Sequence, residues 1–287
     1  MKINLNTEFL NVTQDIRKSY MDTVEEYLDS YYKLKLPYYK EYETNIDWNN
    51  FLNVSQKWND MIVLKSMKAN MNVQYFGTKK LQELLRSKTI NYETQRIKLH
   101  SSINSREGKV LARIIKHNSI RNSLEIGMAY GISSMYILLA MYSYNDDKNI
   151  NLTSIDPYQE KQWKNLGLFN IKTINMDKYH TLYEDVSEII LPTLFKKNHK
   201  YDLIFIDGWH TFDNTLIDVY YAVRLVNIGG FIVIDDIKHQ GVNKVIRYID
   251  VNYNKHLKRI NSYDINTMAI YKKVFEDKRS WNFHKNF

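Results

Sequence analysis

The chain has 287 residues, of which 44% are hydrophobic, with no cysteine and a formal net charge of +8. The lack of cysteine excludes disulfides and thiolate metal sites, and no apolar run reaches the 18 or more residues of a membrane span. The length fits a catalytic domain of about 190 residues plus an appendage. No basic region followed by an apolar segment opens the chain, so we expect no secretory signal and a cytoplasmic protein.

The positive charge is concentrated near the C-terminus, because residues 238–287 contain 11 basic and 4 acidic side chains. A solvated basic tail is one interpretation of this excess. Attraction for nucleic acid or for an anionic substrate is the other. Charge by itself therefore leaves the partner open.

Residues 1–95 are predicted to form a helical appendage. Apolar residues recur in steps of three and four from Thr13 to Leu36, where Pro37 stops the pattern. A second helical pattern begins near Asp47, and a third begins at Gly77. The aromatic stripe of this segment indicates core or dimer contacts, or else a substrate platform. We predict a lid or homodimerisation segment, followed by a catalytic domain over residues 96–287.

Strand and helix patterns then alternate. A helix capped by Ser105 comes first, and later helices are predicted over Ile132–Met141, Asn214–Val226 and Val242–Ile249. The predicted strands are Asn122–Ile126, Asn151–Ile155, Thr181–Glu184, Tyr201–Ile206, Phe231–Ile234, and two closing strands near Leu257–Ser262 and Thr267–Lys272. Continuous apolar strands that alternate with helices are typical of a parallel sheet covered on both faces. The fold class is therefore α/β, with a doubly wound, mostly parallel seven-stranded sheet.

A glycine-bearing turn follows the first of these strands. Glu125 lies near the end of the strand, and Gly127 and Gly131 lie between the strand and the next helix. Glycines allow a ligand to approach the backbone, and the free N–H groups of a helix N-terminus face that ligand. The spacing differs from the dinucleotide fingerprint, and no Walker-type lysine follows it.

Acidic residues end three more strands. Asp156 follows the second strand, where it could accept both ribose hydroxyls of a nucleoside or serve only as a turn residue before Pro157. Asp207 follows the fourth strand, and Asp235 with Asp236 follows the fifth. Carboxylates gathered at neighbouring strand ends favour Mg²⁺, although one or more of the three could simply cap a loop.

His210 lies three residues beyond Asp207. A neutral imidazole there could accept a proton from a substrate hydroxyl, whereas a structural role is the alternative. His239, three residues after Asp236, is the nearest competitor for the role of base.

Several motifs together resemble class I S-adenosylmethionine (AdoMet) dependent methyltransferases of the macrocin O-methyltransferase type and, more distantly, catechol O-methyltransferase. The resemblance covers about residues 100–272. Its most specific part is Asp207-Gly208-Trp209-His210 combined with Gly229-Gly230 and Asp235-Asp236. The turn that contains Gly127 and Gly131 is similar to motif I of the same class.

The resemblance implies site residues as well. The cofactor would lie against Glu125, Gly127, Gly131, Ser133, Asp156, Asp185, Val186, Ser187 and Asp207. Magnesium would be held by Asp207, Asp235 and Asp236, and His210 would be the base. Catechol-type members carry a lysine where this chain has His210, so the pattern favours the sugar-modifying members.

The leading hypothesis is thus an AdoMet- and Mg²⁺-dependent O-methyltransferase that acts on a hydroxyl of a small molecule, a sugar or glycoconjugate. One alternative is a nucleic-acid methyltransferase that uses the basic C-terminal segment, although the Lys-Asp-Lys-Glu tetrad of ribose methylation is not evident. Another alternative is an inactive scaffold with an AdoMet fold. Neither a nucleic-acid partner nor a membrane partner is expected.

Overall fold

The computed structural model describes residues 74, 76–145, 149–263 and 265–287. The chain divides into two compact units, residues 1–76 and residues 77–287. The two helices predicted before residue 77 lie outside the described residues, as does most of the segment predicted to be a lid or dimer arm. The second unit contains the sheet and the candidate site.

The second unit begins with a helix and a β-hairpin. Residues 77–87 are helical (α1), and β1 (Thr89–Tyr92) pairs with β2 (Gln95–Lys98). Leu84 and Ile90 are buried, and the Tyr92 and Phe169 rings meet edge to face at 5.2 Å. These contacts place the hairpin within the second unit, which begins at residue 77. The predicted boundary between an appendage and a catalytic domain at 95/96 stays a prediction.

A seven-stranded sheet forms the centre of this unit. Its strands are β3 (Asn122–Ile126), β4 (Asn151–Ile155), β5 (His180–Tyr183), β6 (Tyr201–Ile206), β7 (Val226–Ile234), β8 (Leu257–Arg259) and β9 (Ala269–Lys273). The spatial order is β5-β4-β3-β6-β7-β9-β8, and every pair is parallel except those that involve β9. The predicted doubly wound, mostly parallel seven-stranded sheet is confirmed.

Six further helices cover the sheet. They are α2 (Ser105–Asn118), α3 (Ile132–Tyr144), α4 (Leu166–Thr173), α5 (Ser187–Lys196), α6 (Phe212–Leu225) and α7 (Gln240–Asn252). Helices α2 and α4 pack against α3, whereas α5 and α7 pack against α6. Because helices shield both faces, the apolar run of β6 from Leu203 to Ile206 is buried throughout.

The caps of two helices bear on the site. Asn104, not the predicted Ser105, caps α2: its side chain accepts from the Glu107 N–H, and the Glu107 carboxylate accepts from the Asn104 N–H at 2.8 Å. Helix α3 is buried on nearly all sides and begins at Gly131, which offers no side-chain cap. In the described part of the chain, no helix combines the length and the apolarity that a bilayer span requires.

Candidate active site

A cavity of about 580 Å³ lies at the carboxyl ends of β3, β4, β6 and β7. In open α/β sheets, ligands bind at the carboxyl ends of the strands, near the point where the strand order reverses, which here lies between β3 and β6. Of the predicted residues, those that line the cavity are Gly127, Ser133, Asp156, Val186, Ser187, Asp207, His210, Asp235 and Asp236. Glu125, Gly131 and Asp185 do not line it.

The turn after β3 is held tightly against the end of β6. Gly127 has a φ of +88°, and a Cβ at this position would lie 2.1 Å from the Asp207 carbonyl oxygen. The Gly127 N–H donates to the Ile155 oxygen at 2.9 Å, and the Asp207 N–H donates to the Ile126 oxygen at 2.8 Å. Glycine is therefore required here by the meeting of two backbones, before any ligand is considered.

Helix α3 directs its N-terminus into the cavity. Ile132 and Ser133, in its first turn, form part of the wall. The first N–H groups of a helix have no partner within the helix and carry partial positive charge. This end of the cavity thus suits a carboxylate or another anionic group.

The Asp156 carboxylate accepts hydrogen bonds from other residues of the chain. Its Oδ2 accepts from the backbone N–H groups of Met128 at 3.0 Å and Ala129 at 2.7 Å, and from the Gln159 side chain at 3.2 Å. Its Oδ1 accepts from the Tyr158 N–H at 2.8 Å. Asp156 therefore fixes the turn after β3, and the acceptor capacity left for a ribose lies on Oδ1. The predicted contact with both ribose hydroxyls stays a prediction.

Glu125 lies beneath the turn, in what we term the buried network: Glu125, Ser134, Ser154 and His180. Its Oε2 accepts from Ser134 Oγ at 2.5 Å and from Ser154 Oγ at 2.7 Å. His180 Nε2 lies 2.9 Å from Ser154 Oγ, and it donates to that oxygen when the Ser154 hydroxyl donates to an ionised Glu125. Burial raises the pKa of Glu125 to about 7 and lowers that of His180 to about 4. Glu125 thus joins β3, α3 and β4 and does not face the cavity.

The loop after β5 contributes Val186 and Ser187 to the cavity wall. Asp185 instead accepts a hydrogen bond from the neighbouring Val186 N–H at 2.8 Å, so its carboxylate supports the loop. The adenine contact predicted for these three residues stays a prediction.

Four carboxylates line the other side of the cavity, the three predicted acids and Glu107. Burial raises the pKa of Asp235, and repulsion from Asp207 and Glu107 adds to the effect. Burial likewise raises the pKa of Asp207, with further contributions from Asp236 and Glu107. The sequence analysis missed Glu107, whose spacing from Asn104 signals only a helix cap. Its Oε1 also accepts from Thr267 Oγ1 at 2.7 Å, so the protein positions both oxygens.

His210 faces two of the predicted acids, in what we term the cavity cluster: Asp207, His210, Asp236 and His239. Its Nε2 lies 3.1 Å from Asp236 Oδ2 and 3.5 Å from Asp207 Oδ1. That atom is shielded from solvent, yet it makes no hydrogen bond of good geometry with any described residue. The Asp207 carboxylate raises the pKa of His210 against the opposing effect of burial, and Asp236 raises it further. The imidazole is thus placed to gain a proton and to keep it near two acids.

The magnesium site predicted at Asp207, Asp235 and Asp236 stays a prediction, and the potential ligand atoms that lie closest together in this region belong to a different set. Among the described residues, the one group of three or more potential ligands with all donor atoms within 4.8 Å of one another is His210, Asp236 and His239. Asp207 and Asp235 line the same cavity but lie outside that group. Because two of the three donors are imidazoles, the set fits poorly with Mg²⁺, which prefers oxygen ligands.

Aromatic side chains border the cavity near His210. Trp209 is 57% exposed, and its ring lies 6.4 Å from that of Tyr158, measured between centroids. Across the cavity, Trp163 packs edge to face on Tyr130, whose hydroxyl lies 3.1 Å from His100 Nε2. An exposed indole beside the candidate base offers a flat apolar surface to an acceptor ring. The sequence analysis assigned these residues no role.

Comparisons with known proteins agree with this architecture. Residues 124–237 match the family described as "Methyltransferase domain". An O-methyltransferase from Bacillus cereus, solved in complex with SAH, has a TM-score of 0.52 and 15% identity, over 69% of this chain and 91% of that one. The O-methyltransferase TomG from Streptomyces achromogenes, solved with SAM, has a TM-score of 0.53 and 16% identity, over 69% of this chain and 89% of that one.

A curated relative matches over a shorter stretch. An uncharacterised protein of Acanthamoeba polyphaga mimivirus is 35% identical over 91 residues, which are 30% of this chain and 40% of that protein. The match thus spans well under half of the relative's length.

Proposed function

We propose that this chain, which carries a methyltransferase domain within a class I AdoMet-dependent methyltransferase fold, transfers a methyl group from AdoMet to a hydroxyl of a small molecule. The observation that carries the proposal is His210, whose Nε2 lies beside Asp207 and Asp236 in a cavity that begins at the glycine turn. A sugar or glycoconjugate is the acceptor class that we favour.

The cavity has the features that AdoMet would need. The α3 N-terminus can meet the carboxylate of its methionine portion, and the narrow turn at Gly127 brings backbone atoms to the ligand. Bound AdoMet supplies an electrophilic methyl group whose leaving group is neutral and needs no proton. The residues of the chain therefore have to align the acceptor oxygen and remove its proton.

His210 is the proposed base. A neutral Nε2 accepts the proton of the acceptor hydroxyl, and the resulting imidazolium lies 3.1 Å from Asp236 and 3.5 Å from Asp207. Those carboxylates stabilise the charged form in a partly desolvated site. Trp209, beside the base, provides a surface on which the acceptor ring can rest.

Assistance by Mg²⁺ remains a prediction, with Asp207, Asp235 and Asp236 as its ligands, and no step above depends on it. Loss of activity in EDTA that Mg²⁺ alone restores would support it. Full turnover in chelator would assign the three acids to charge stabilisation alone.

The proposal is tested in two stages. Calorimetry should detect SAH binding with a dissociation constant of about 1–10 μM, roughly −7 to −8 kcal/mol. Trideuteromethyl AdoMet should then label a hydroxylated acceptor in a mass-gain screen of sugars and phenols, with His210→Gln as the inactive control. Binding of NAD without SAH would overturn the cofactor assignment, and labelling confined to RNA would favour the nucleic-acid alternative.

A further inference from the structure

The cavity cluster contains a set of potential metal ligands, His210, Asp236 and His239, two of which also serve the proposed methyl transfer. We propose that His210, Asp236 and His239 form a binding site for a divalent metal of the zinc class, and that the bound metal blocks methyl transfer. The inhibitory part rests on the proposed function, because it assumes that His210 is the base.

One pair of donor atoms already has the spacing that such an ion requires, and the third donor lies near it. The ligand atoms of the three residues all lie within 4.8 Å of one another. A metal at its usual distance from nitrogen and oxygen holds adjacent ligand atoms about 2.9–3.5 Å apart in tetrahedral or octahedral sites. The 3.1 Å between His210 Nε2 and Asp236 Oδ2 falls in that range. Asp207 Oδ1, at 3.5 Å from the same nitrogen, is available as a further oxygen.

Backbone contacts hold the two histidines close to each other. His210 lies in the loop after β6, and His239 caps α7, with its N–H donating to the Asp236 oxygen at 2.9 Å. A Cβ on Gly241 would come within 2.6 Å of the His210 carbonyl oxygen, so these two segments touch through their backbones. The two imidazoles stack at 4.9 Å between centroids, with 11° between their planes. The two side chains are therefore close together before any ion arrives, and rotation of one stacked ring would direct both in-plane lone pairs at the same ion.

The site has a ligand atom without a hydrogen-bond partner, and an ion can reach it from solvent. His210 Nε2 is buried and makes no hydrogen bond of good geometry with any residue that the structure describes. His239 is exposed and the Asp236 side chain is 46% exposed, so an ion can enter from solvent and keep water ligands. Imidazole nitrogens favour Zn²⁺, Co²⁺ and Ni²⁺ over Mg²⁺.

The consequence for catalysis follows from a single lone pair. Metal coordination and proton abstraction both use the lone pair on His210 Nε2, so one excludes the other. A zinc-class ion would thus inhibit methyl transfer by occupying the base, and its removal would restore activity.

Metal binding is measured first, without AdoMet or acceptor. Titration of the full chain with Zn²⁺ in a calorimeter should give one ion per chain, and Co²⁺ should give visible ligand-field absorption bands. His239→Gln and Asp236→Asn should each weaken Zn²⁺ binding at least tenfold and reduce the Co²⁺ bands. His199→Gln, at an exposed histidine outside the cavity, is the matched control and should bind as the wild type does. Circular dichroism verifies that each variant is folded.

Inhibition is measured second. Zn²⁺ should inhibit methyl transfer by the wild type, and His239→Gln should need at least tenfold more Zn²⁺ for half-inhibition. No Zn²⁺ binding by the wild type, or equal binding by both site variants and the wild type, would overturn the site. Zinc binding that depends on His239 in a chain that never transfers a methyl group would uphold the site and reject the proposed function. Site-dependent binding without inhibition would reject the blocking role.

Discussion

The buried network and the cavity cluster each bring carboxylate and imidazole groups together, yet they differ in the hydrogen bonds that those groups make. In the buried network, Ser134 and Ser154 donate to Glu125 Oε2, Ser154 also contacts His180, and burial dominates both pKa shifts. Glu125 Oε1 has no hydrogen-bond partner among the described residues, but it does not face the cavity. In the cavity cluster, Asp207 raises the pKa of His210 despite burial, and Nε2 is left without a good hydrogen bond. A perturbed pKa therefore marks a site only when the group has an unsatisfied atom that faces a cavity.

The largest expected effect is on kcat, which should fall for a variant in the cavity cluster but not for a variant in the buried network. His210→Gln should lower kcat by about 10²–10⁴, because a positioned base typically contributes that much. SAH affinity should hardly change. The wild-type rate should fall as the pH drops below the raised pKa of His210, above the ordinary 6.5, since the protonated imidazole cannot accept a proton.

The matched control is His180→Gln in the buried network, which should leave kcat within severalfold of the wild type at pH 8. If His210→Gln kept wild-type turnover, His210 would be excluded as the base and His239 would become the candidate. A loss below about tenfold with an unchanged pH profile would assign His210 to orienting the acceptor only.

The next effect concerns stability at high pH. The pKa of Glu125 is raised to about 7 in the folded state, so its contribution to stability is present at low pH and is lost as the pH rises through 7. Glu125→Gln removes this ionisation, and we expect the variant to gain up to about 3 kcal/mol relative to the wild type between pH 5 and pH 9. Urea midpoints across that range measure the difference. Parallel pH curves for the two proteins would contradict the assignment.

The opposite pH direction is expected at His180. Its pKa is lowered to about 4, so the unfolded state binds the proton first and stability is lost as the pH falls from 6.5 through 4. The full loss is up to about 3 kcal/mol. His180→Gln should flatten the decrease in the urea midpoint between pH 7 and pH 4. An acid transition that survives in the variant would have another origin.

The smallest expected effect is on cofactor affinity when residues 1–76 are removed. The cavity is lined by residues from the second unit, so residues 77–287 should bind SAH within about twofold of the full chain. If the N-terminal segment is a lid or dimer arm, acceptor turnover or the mass in solution should change. Calorimetry and light scattering measure the two properties. Unchanged turnover and mass would remove this segment from both roles.

Much of the fold could be predicted because buried parallel strands appear in the sequence as short, continuous apolar runs. The bounds predicted for β3, β4 and β6 agree with the structure. The hairpin β1–β2 could not be predicted in this way, since its strands have four residues each and are largely polar. The start of β7 at Val226 was also missed, because the Gly229-Gly230 pair resembles a turn.

The sequence predicts which residues lie at the strand ends that form the candidate site. It does not predict the contacts that their atoms make. Chain order places Asp207, His210, Asp235 and Asp236 at one edge of the sheet, and the structure lines one cavity with them. No local pattern shows that Glu107, about a hundred residues earlier, shares this cavity. Nor does spacing reveal that Asp156 already accepts four hydrogen bonds, two from the turn after β3 and two from the residues that follow Asp156.

The contact between the Gly127 backbone and the Asp207 carbonyl has a consequence for how sequence variation is tolerated. Gly127 and Gly229 have nearly the same φ, +88° and +86°, but a Cβ on Gly229 would meet nothing within 4 Å. Asparagine adopts such angles at modest cost, so Gly229→Asn needs no rearrangement of its neighbours. At position 127 every substitution adds a steric clash with another strand end. In a saturation library selected for folded protein, position 127 should retain glycine alone, whereas position 229 should accept asparagine and aspartate.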